Sequence, residues 1–284
     1  MQDGRRLIDG LWPNWMDLFA AQPLVHHVRG SRYRAIWISD LHLGTRGCKA
    51  EELLDFLRRH PADNLYMVGD IVDGWNLGSS WYWSPAQAAL CREIAKMRGQ
   101  GTRVVFLPGN HDESNVAQVE HLFGRVEIAA SLIHRTAEGR RMLVIHGHQF
   151  DGSLNPNRWM PMMGSQACAT ILRINEWYYR ERARPGKRPS ALSAYLKRRL
   201  RQALEYLTDF ADCAVYEAVR GYKADGVICG HIHRAERRLI GDILYVNDGD
   251  WVGSRSAIAE DHDGTLHLLR WGQRDTIQPA AVAS

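Results

Sequence analysis

Residues 35–42 read Ala35-Ile36-Trp37-Ile38-Ser39-Asp40-Leu41-His42, a short apolar run that ends in an acid and a histidine two positions apart. The apolar run predicts a buried strand over residues 35–39. Side chains at positions i and i+2 of an extended segment point the same way, so Asp40 and His42 can reach one ion. The stretch therefore predicts a sheet with a metal-binding pair at the end of a strand.

Four more polar clusters follow predicted strands in the same manner. The strands are 65–68, 103–107, 142–145 and 226–229, and the clusters after them are Gly69-Asp70-Ile71-Val72-Asp73, Gly109-Asn110-His111-Asp112, His146-Gly147-His148 and Gly230-His231-Ile232-His233. Strand ends are where an open sheet presents its binding crevice. Taken singly, a cluster fits a turn, a cap or a core histidine. Five such clusters in succession favour a shared function, because burying so many polar side chains together would cost free energy unless they bind something.

The remaining pattern predicts a mixed α/β fold. Helices are predicted at 50–59 and from Ser84-Pro85 to about Gly99, and a hairpin is predicted from 126–134 to 142–145. Later strands are predicted at 243–246, 257–259 and 265–270. Strand and helix alternate first and strands dominate late, which indicates a mixed sheet or a pair of sheets covered by helices.

Bulk composition limits the class of protein. The chain has 284 residues, of which 45% are hydrophobic, and a net charge of +4, which suits one large core or at most two domains. The five cysteines are scattered, so neither a disulfide framework nor a zinc-finger module is expected. The expected compartment is a reducing cytosol. No signal peptide and no membrane-spanning segment are expected, which leaves contact with a membrane surface open.

Residues 155–225 differ in character from the rest and are predicted to be mainly helical. Within them, 173–201 hold ten Lys or Arg and only two acids. A solvated helix face would explain these charges, as would binding to anionic lipid, nucleic acid or an anionic substrate. The insertion lies between the fourth and fifth clusters, which favours a position over the site. There, Arg and Lys would grip a diphosphate while apolar side chains hold a tail.

The five clusters as a set resemble the calcineurin-like metallophosphoesterase superfamily over roughly residues 35–255. The resemblance implies a four-layer α/β/β/α sandwich and a dinuclear metal site at the sheet ends. It implies one ion held by Asp40, His42, Asp70 and His233, and a second held by Asp70, Asn110, His146 and His231. It also implies that His111 faces the scissile phosphate and that Asp112 orients its ring. Two divalent ions are expected, with Mn²⁺ favoured and Fe or Zn²⁺ as alternatives.

Within that superfamily, the chain is most similar to the UDP-2,3-diacylglucosamine pyrophosphatase family of lipid A synthesis. The similarity rests on 39–43, on Gly69-Asp70 with Trp75 downstream, and on the insertion before 230–234. It implies a helical cap at 154–225 over a core of 35–153 and 226–275, and it leaves 1–34 as an N-terminal extension in which the chain differs from that family, as it does in overall length. The chain departs from that family at His111, where an Arg is usual, and at His148, where an acid is usual.

The expected activity is hydrolysis of a nucleotide-linked, lipid-bearing diphosphate by a cytoplasmic enzyme acting at the inner-membrane surface. Trp75, Arg173, Arg180, Lys197 and Arg201 are the candidate substrate contacts. The alternatives are a phosphodiesterase of nucleotides or, less favoured, nucleic acid, and a non-catalytic scaffold of the same fold. Asp73 is expected to orient a ligand or cap the next segment. His148 is expected to support a ligand rather than contact substrate, and 247–251 to form a turn around Gly249.

Overall fold

Two sheets form the centre of the molecule. In the computed structural model, the structure describes residues 32–73, 81–112, 116–153 and 194–272, apart from the side chains of 152–153 and 194–206. The strands are β1 (Tyr33–Ile38), β2 (Ala62–Val68), β3 (Arg103–Leu107), β4 (Glu127–Ile128), β5 (Leu132–Arg135), β6 (Arg141–Val144), β7 (Gly226–Cys229), β8 (Glu236–Ile240), β9 (Ile243–Asn247), β10 (Ser256–Glu260) and β11 (Leu266–Arg270). The helices are α1 (Ala50–Arg59), α2 (Pro85–Gly99), α3 (Val116–Phe123) and α4 (Ala194–Arg220).

The strand order brings the polar clusters to one edge. The first sheet has the order β11-β10-β1-β2-β3-β4 and the second the order β5-β6-β7-β9-β8. Strands β1, β2 and β3 run parallel, as do β6, β7 and β9. Parallel neighbours end at the same edge of a sheet, so the segments after β1, β2 and β3 face those after β6 and β7 across the sandwich.

Alternation along the strands divides the apolar side chains between layers. Trp37 of β1 lies in the core between the sheets, whereas Ile36 and Ile38 lie in the core beneath α1, α2 and α3. The core between the sheets also contains Tyr66, Val68, Val144, Val246 and Ile258. Helices cover the outer face of each sheet, which confirms the predicted four-layer α/β/β/α arrangement.

The helix α4 lies within the range assigned to a cap, yet it forms one layer of the sandwich. Its buried residues Leu207, Phe210 and Ala214 pack with Val227 and Tyr245 of the second sheet. The cap boundary at residue 225 is therefore too late, because the end of α4 belongs to the core. Residues 154–193, which hold most of the predicted cap, lie outside the described residues.

One local prediction needs correction. Residues 126–134 do not form one strand: β4 joins the first sheet beside β3, and β5 joins the second sheet beside β6. The chain crosses between the sheets at this point. The edge strand β8 and the short helix α3 were not predicted. The helix predicted from Ser84 is confirmed, with the Ser84 hydroxyl accepting a hydrogen bond from the amide of Gln87.

Candidate metal centre

All five predicted clusters lie directly beyond the carboxyl end of a strand. Asp40 follows β1, Asp70 follows β2, Asn110 follows β3, His146 follows β6 and His231 follows β7. Backbone hydrogen bonds join neighbouring clusters: the amide of Asp40 donates to the carbonyl of Gly69, and the amide of Gly230 donates to that of His146. The sheets thus hold the clusters in a fixed register.

Five of these residues adopt a backbone conformation that non-glycine residues rarely use. Asp40, His42, Asp70, His231 and His233 have φ between 50° and 69°. Such a conformation costs about 1–3 kcal/mol per residue and persists only when the surroundings impose it. Among the described residues, two other non-glycine positions, Lys223 and Arg255, share it. The strain is therefore concentrated where the predicted ligands lie.

Two glycines permit the close approach of these segments. A Cβ on Gly109 would overlap Oδ1 and the amide nitrogen of Asp70, and a Cβ on Gly230 would overlap the side chains of Ser39 and Asp40. A methyl group at either position would push an acid out of the centre. These positions require glycine because backbone and side chain pack in direct contact.

One group of potential ligand atoms consists of Asp40, His42 and His233, which are all buried. Oδ1 of Asp40 lies 3.1 Å from Nε2 of His233 and 4.0 Å from Nε2 of His42. The other carboxylate oxygen, Oδ2, accepts a hydrogen bond from the amide of His231 at 3.0 Å. One oxygen is thus fixed by the backbone while the other faces two imidazoles.

A second group consists of Asp70, His146 and His231. Oδ1 of Asp70 lies 3.5 Å from Nε2 of His146, and Oδ2 lies 3.9 Å from Nε2 of His42 in the first group. The two oxygens of Asp70 therefore face different groups. This is the position that the bridging role implied by the resemblance requires.

The buried atoms of both groups fit the binding of cations. Of the buried atoms that make no hydrogen bond within the described residues, six belong to the predicted ligands: Oδ1 of Asp40, Oδ1 of Asn110, both ring nitrogens of His42, and Nε2 of His146 and His233. Buried polar atoms normally have partners, so a cluster without them calls for a ligand. Carboxylate and amide oxygens together with imidazole nitrogens suit divalent cations.

Charge coupling between the groups is strong. Burial acts to raise the pKa of Asp40, but His233 outweighs it and holds that pKa at about 2. Burial acts to lower the pKa of His146, but the carboxylate of Asp70 outweighs it and raises the pKa to about 10. The same balance, with Asp40 as the main partner, raises the pKa of His233 to about 10. Positive charge is therefore favoured between the two carboxylates.

In three of the histidines, Nδ1 faces an oxygen acceptor, and in His146 it lies within hydrogen-bond distance of that acceptor. Nδ1 of His146 lies 2.7 Å from the carbonyl oxygen of Val68, and Nδ1 of His233 lies 3.6 Å from Oδ2 of Asp250. Nδ1 of His42 lies 3.8 Å from Oδ2 of Asp73. A hydrogen bond such as that of His146 fixes the tautomer and orientation of a metal-binding imidazole. Asp250, which was predicted only as part of a turn, thus also supports a candidate ligand.

The pairing predicted between Asp112 and His111 is wrong. The Asp112 carboxylate accepts hydrogen bonds from the amides of Gly109 at 2.5 Å and Ile71 at 2.7 Å. Instead, Nδ1 of His111 lies 3.3 Å from Oδ1 of Asp73. Asp112 joins the second and third clusters, and Asp73 is the residue that orients the His111 ring. Burial, followed by the charge of Asp70, raises the pKa of Asp112 to about 7.

The side chains of the predicted substrate contacts are not described by the structure, whereas His148 and the turn around Gly249 are. Trp75, Arg173 and Arg180 lie outside the described residues, and Lys197 and Arg201 lie on α4 where side chains are not described. The ring of His148 lies 5.5 Å from that of His146 between centroids, and its supporting role stays a prediction. The predicted turn around Gly249 is present: Asp250 Oδ1 accepts the amide of Val252 at 2.7 Å, and the φ of Gly249 is 87°.

Comparison with known proteins identifies the family. The model of the calcineurin-like phosphoesterase family matches residues 33–235 of the chain. The match spans most of the sequence and includes all five clusters. The chain belongs to the calcineurin-like phosphoesterase family, whose members are metal-dependent hydrolases of phosphate esters.

Several known proteins align with most of the chain. The chain is 26% identical over 249 residues to UDP-2,3-diacylglucosamine hydrolase of Stenotrophomonas maltophilia strain K279a, covering 81% of this chain and 95% of that protein. It is 27% identical over 255 residues to the protein of the same name in strain R551-3, covering 82% and 98%. Among solved structures, a phosphoesterase from E. coli aligns with 17% identity and a TM-score of 0.47, covering 88% of this chain and 99% of that one.

Proposed function

We propose that this phosphoesterase holds two divalent cations and hydrolyses the diphosphate of a nucleotide-linked lipid. One cation would be held by Asp40, His42, Asp70 and His233, and the other by Asp70, Asn110, His146 and His231. The observation that carries the proposal is the pair of buried groups joined by Asp70, whose two oxygens lie 3.5 Å from His146 and 3.9 Å from His42.

The donor set determines which ions to expect. Carboxylate, imidazole and amide oxygen together suit Mn²⁺, with Fe and Zn²⁺ as alternatives. Two such ions, when bound, lower the pKa of water and neutralise charge that develops on the phosphoryl oxygens. The protein contributes a rigid frame, because strained ligands between two sheets cannot spread apart to suit a different geometry.

His111 is the proposed catalytic residue outside the metal ligands. Its Nε2 lies 3.8 Å from Oδ2 of Asp70, and its side chain is 19% exposed, more than those of His42 and His146. His111 therefore borders both the metal ligands and solvent, where a phosphate would enter. There it would protonate the leaving group or stabilise negative charge in the transition state. The contact with Asp73 fixes the ring for that purpose.

Two facts support a lipid-linked substrate. The relatives that align over most of the chain are named for UDP-2,3-diacylglucosamine. The insertion also combines ten cationic residues with aromatic ones between the fourth and fifth clusters. Within the part of the chain that the structure describes, no helix has the length and apolarity needed to span a bilayer. Because the proposed substrate carries acyl chains, we expect the protein to meet it at the cytoplasmic surface of the inner membrane.

Metal analysis followed by a hydrolysis screen tests the proposal. The purified protein, loaded with manganese, is given UDP-diacylglucosamine, unacylated dinucleotides, short single-stranded nucleic acid and bis-nitrophenyl phosphate. Two bound ions and a strong preference for the acylated substrate are expected. Preference for dinucleotides or nucleic acid would favour the alternative function, a phosphodiesterase, over hydrolysis of a lipid-linked diphosphate. Failure to bind metal would indicate a non-catalytic scaffold.

The insertion has its own test. Lys197→Ala with Arg201→Ala should raise KM for the acylated substrate and leave metal content unchanged, since neither residue belongs to the proposed ligand sets. Arg59→Ala is the matched control, because Arg59 is exposed on α1, which packs on the other sheet. An unchanged KM in the double variant would remove these two residues from the substrate contacts.

A further inference from the structure

His231 faces its acceptor with the opposite ring nitrogen from the other three histidines. In His42, His146 and His233, Nδ1 faces the supporting acceptor and Nε2 faces the carboxylates of the centre. In His231, Nε2 lies 2.8 Å from Oδ2 of Asp151. A neutral imidazole has one N–H and one lone pair, so the nitrogen next to a carboxylate carries the proton. The lone pair of His231 is then on Nδ1.

From this contact we infer that Asp151 is a positioning residue for the second metal ion. Its carboxylate accepts the Nε2 proton of His231 and thereby directs Nδ1 toward the group formed with Asp70 and His146. The inference rests on the proposed function, because it takes His231 to be a metal ligand. The motif residues do not include Asp151, which lies five positions beyond His146.

The local structure holds Asp151 in place. Residues His148–Ser153 form a short 3-10 turn, in which the amide of Phe150 donates to the carbonyl of Gly147 at 3.0 Å. Phe150 is buried against Phe210 of α4, with ring centroids 5.5 Å apart. The adjacent side chain of Asp151 is thus held beside His231 by core packing rather than by its own charge.

The turn brings both His148 and Asp151 close to His231, since the ring centroids of His148 and His231 lie 6.4 Å apart. The carboxylate of Asp151 reaches the centre from three residues beyond His148, on the same turn. In this chain, Asp151 supplies a negative charge beside the second group of ligands.

The contribution of this pair to folding should be small. The side chain of Asp151 is 47% exposed, and exposed ion pairs contribute at most about 1 kcal/mol. Its effect on metal binding should be larger, since carboxylates behind a metal-binding histidine commonly change affinity about 10–100-fold. A loss of metal affinity without a loss of stability therefore distinguishes a positioning role from a structural one.

Calorimetric titration of the full chain with Mn²⁺ tests the inference. Wild-type protein should bind two equivalents, and Asp151→Ala should bind one of them about 10–100-fold more weakly. Asp151→Asn keeps an acceptor oxygen and should recover part of the loss. Asp261→Ala is the matched control: Asp261 lies 2.7 Å from Nε2 of His267 in a pair of similar exposure, remote from the centre.

Nitrogen NMR of the zinc-loaded protein, labelled with ¹⁵N-histidine, gives an independent result. The signature of a metal-bound nitrogen should fall on Nδ1 for His231 and on Nε2 for His42, His146 and His233. Binding through Nε2 of His231, or unchanged affinity in Asp151→Ala, would overturn the inference while leaving the dinuclear centre intact. Wild-type protein that binds no metal would instead overturn the proposed function.

Discussion

The backbone amide of His231 donates a hydrogen bond of 3.0 Å to Oδ2 of Asp40, although 191 residues separate them in the chain. The contact joins the end of β1 in the first sheet to the end of β7 in the second. It leaves Oδ1 of Asp40 turned toward His42 and His233. The centre is thus assembled across the two sheets, and its geometry depends on both.

Removal of Asp70 should affect both proposed ions. Asp70→Ala deletes the only side chain, among those described, whose two oxygens face both groups of ligands. We expect activity to fall by more than about 100-fold, beyond the effect of a residue that only supports a ligand. Metal content, measured by elemental analysis, should fall well below that of wild type. Two ions at normal occupancy in this variant would disprove the bridging role.

A methyl group at Gly109 should disturb the centre from the backbone side. The added Cβ of Gly109→Ala would overlap Asp70, and overpacking of this kind costs about 1–3 kcal/mol. We expect lower stability in urea unfolding together with weaker metal binding. Gly99→Ala is the control, because a Cβ at that helix end has no neighbour within 4 Å. Equal behaviour of the two variants would show that the close approach has no functional consequence.

Sequence alone predicted the parts of the fold that rest on apolar runs. Strands β1, β2, β3 and β7 were recognisable because both of their faces are buried. Strand β8 was missed since its sequence, Glu-Arg-Arg-Leu-Ile, is charged, as edge strands often are. The residues that follow the strands were predicted because each cluster is local in sequence.

The supporting contacts could not be predicted in the same way. Asp250 and Asp151 reach His233 and His231 across 17 and 80 residues, a relation that only the packed sheets create. Adjacency misled in one case: Asp112 follows His111 directly, yet its carboxylate turns back to the amides of Gly109 and Ile71. Neighbours in a tight turn point apart, so the more distant Asp73 is the partner of His111.

A buried ionic network at the other end of β1 should make stability depend on pH. Glu260 is fully buried and accepts hydrogen bonds from Arg34 at 2.7 Å and from the amide of Ala137 at 2.8 Å; its Oε2 lies 2.7 Å from Nε2 of His134. Burial acts to raise the pKa of Glu260, but these hydrogen bonds outweigh it and hold the pKa below its usual value. The network therefore stabilises the folded state only while Glu260 is ionised.

The sign of the effect follows from linkage. Because the pKa is lower in the folded state, the contribution is complete above the unfolded value of about 4.3 and is lost as pH falls through the folded value. Glu260→Gln should reduce the free energy of unfolding by about 1–3 kcal/mol at neutral pH, and the difference should shrink in acid. Urea unfolding across pH measures it. Glu127→Gln, which breaks an exposed pair with Arg103, should cost at most about 1 kcal/mol. A constant difference at all pH values would contradict the assignment.

Replacement of His111 separates catalysis from metal binding. His111→Ala removes a side chain that borders Asp70 but belongs to neither of the two proposed ligand sets, so both ions should remain. We expect kcat to fall about 10²–10⁴-fold, the usual contribution of a positioned acid or base. Asp73→Asn should cause a smaller loss, since it weakens the orientation of the ring without removing it. Full activity in metal-loaded His111→Ala would exclude a catalytic role. Loss of metal in that variant would instead make His111 a ligand, as its place in a group with His42 and Asp73 permits.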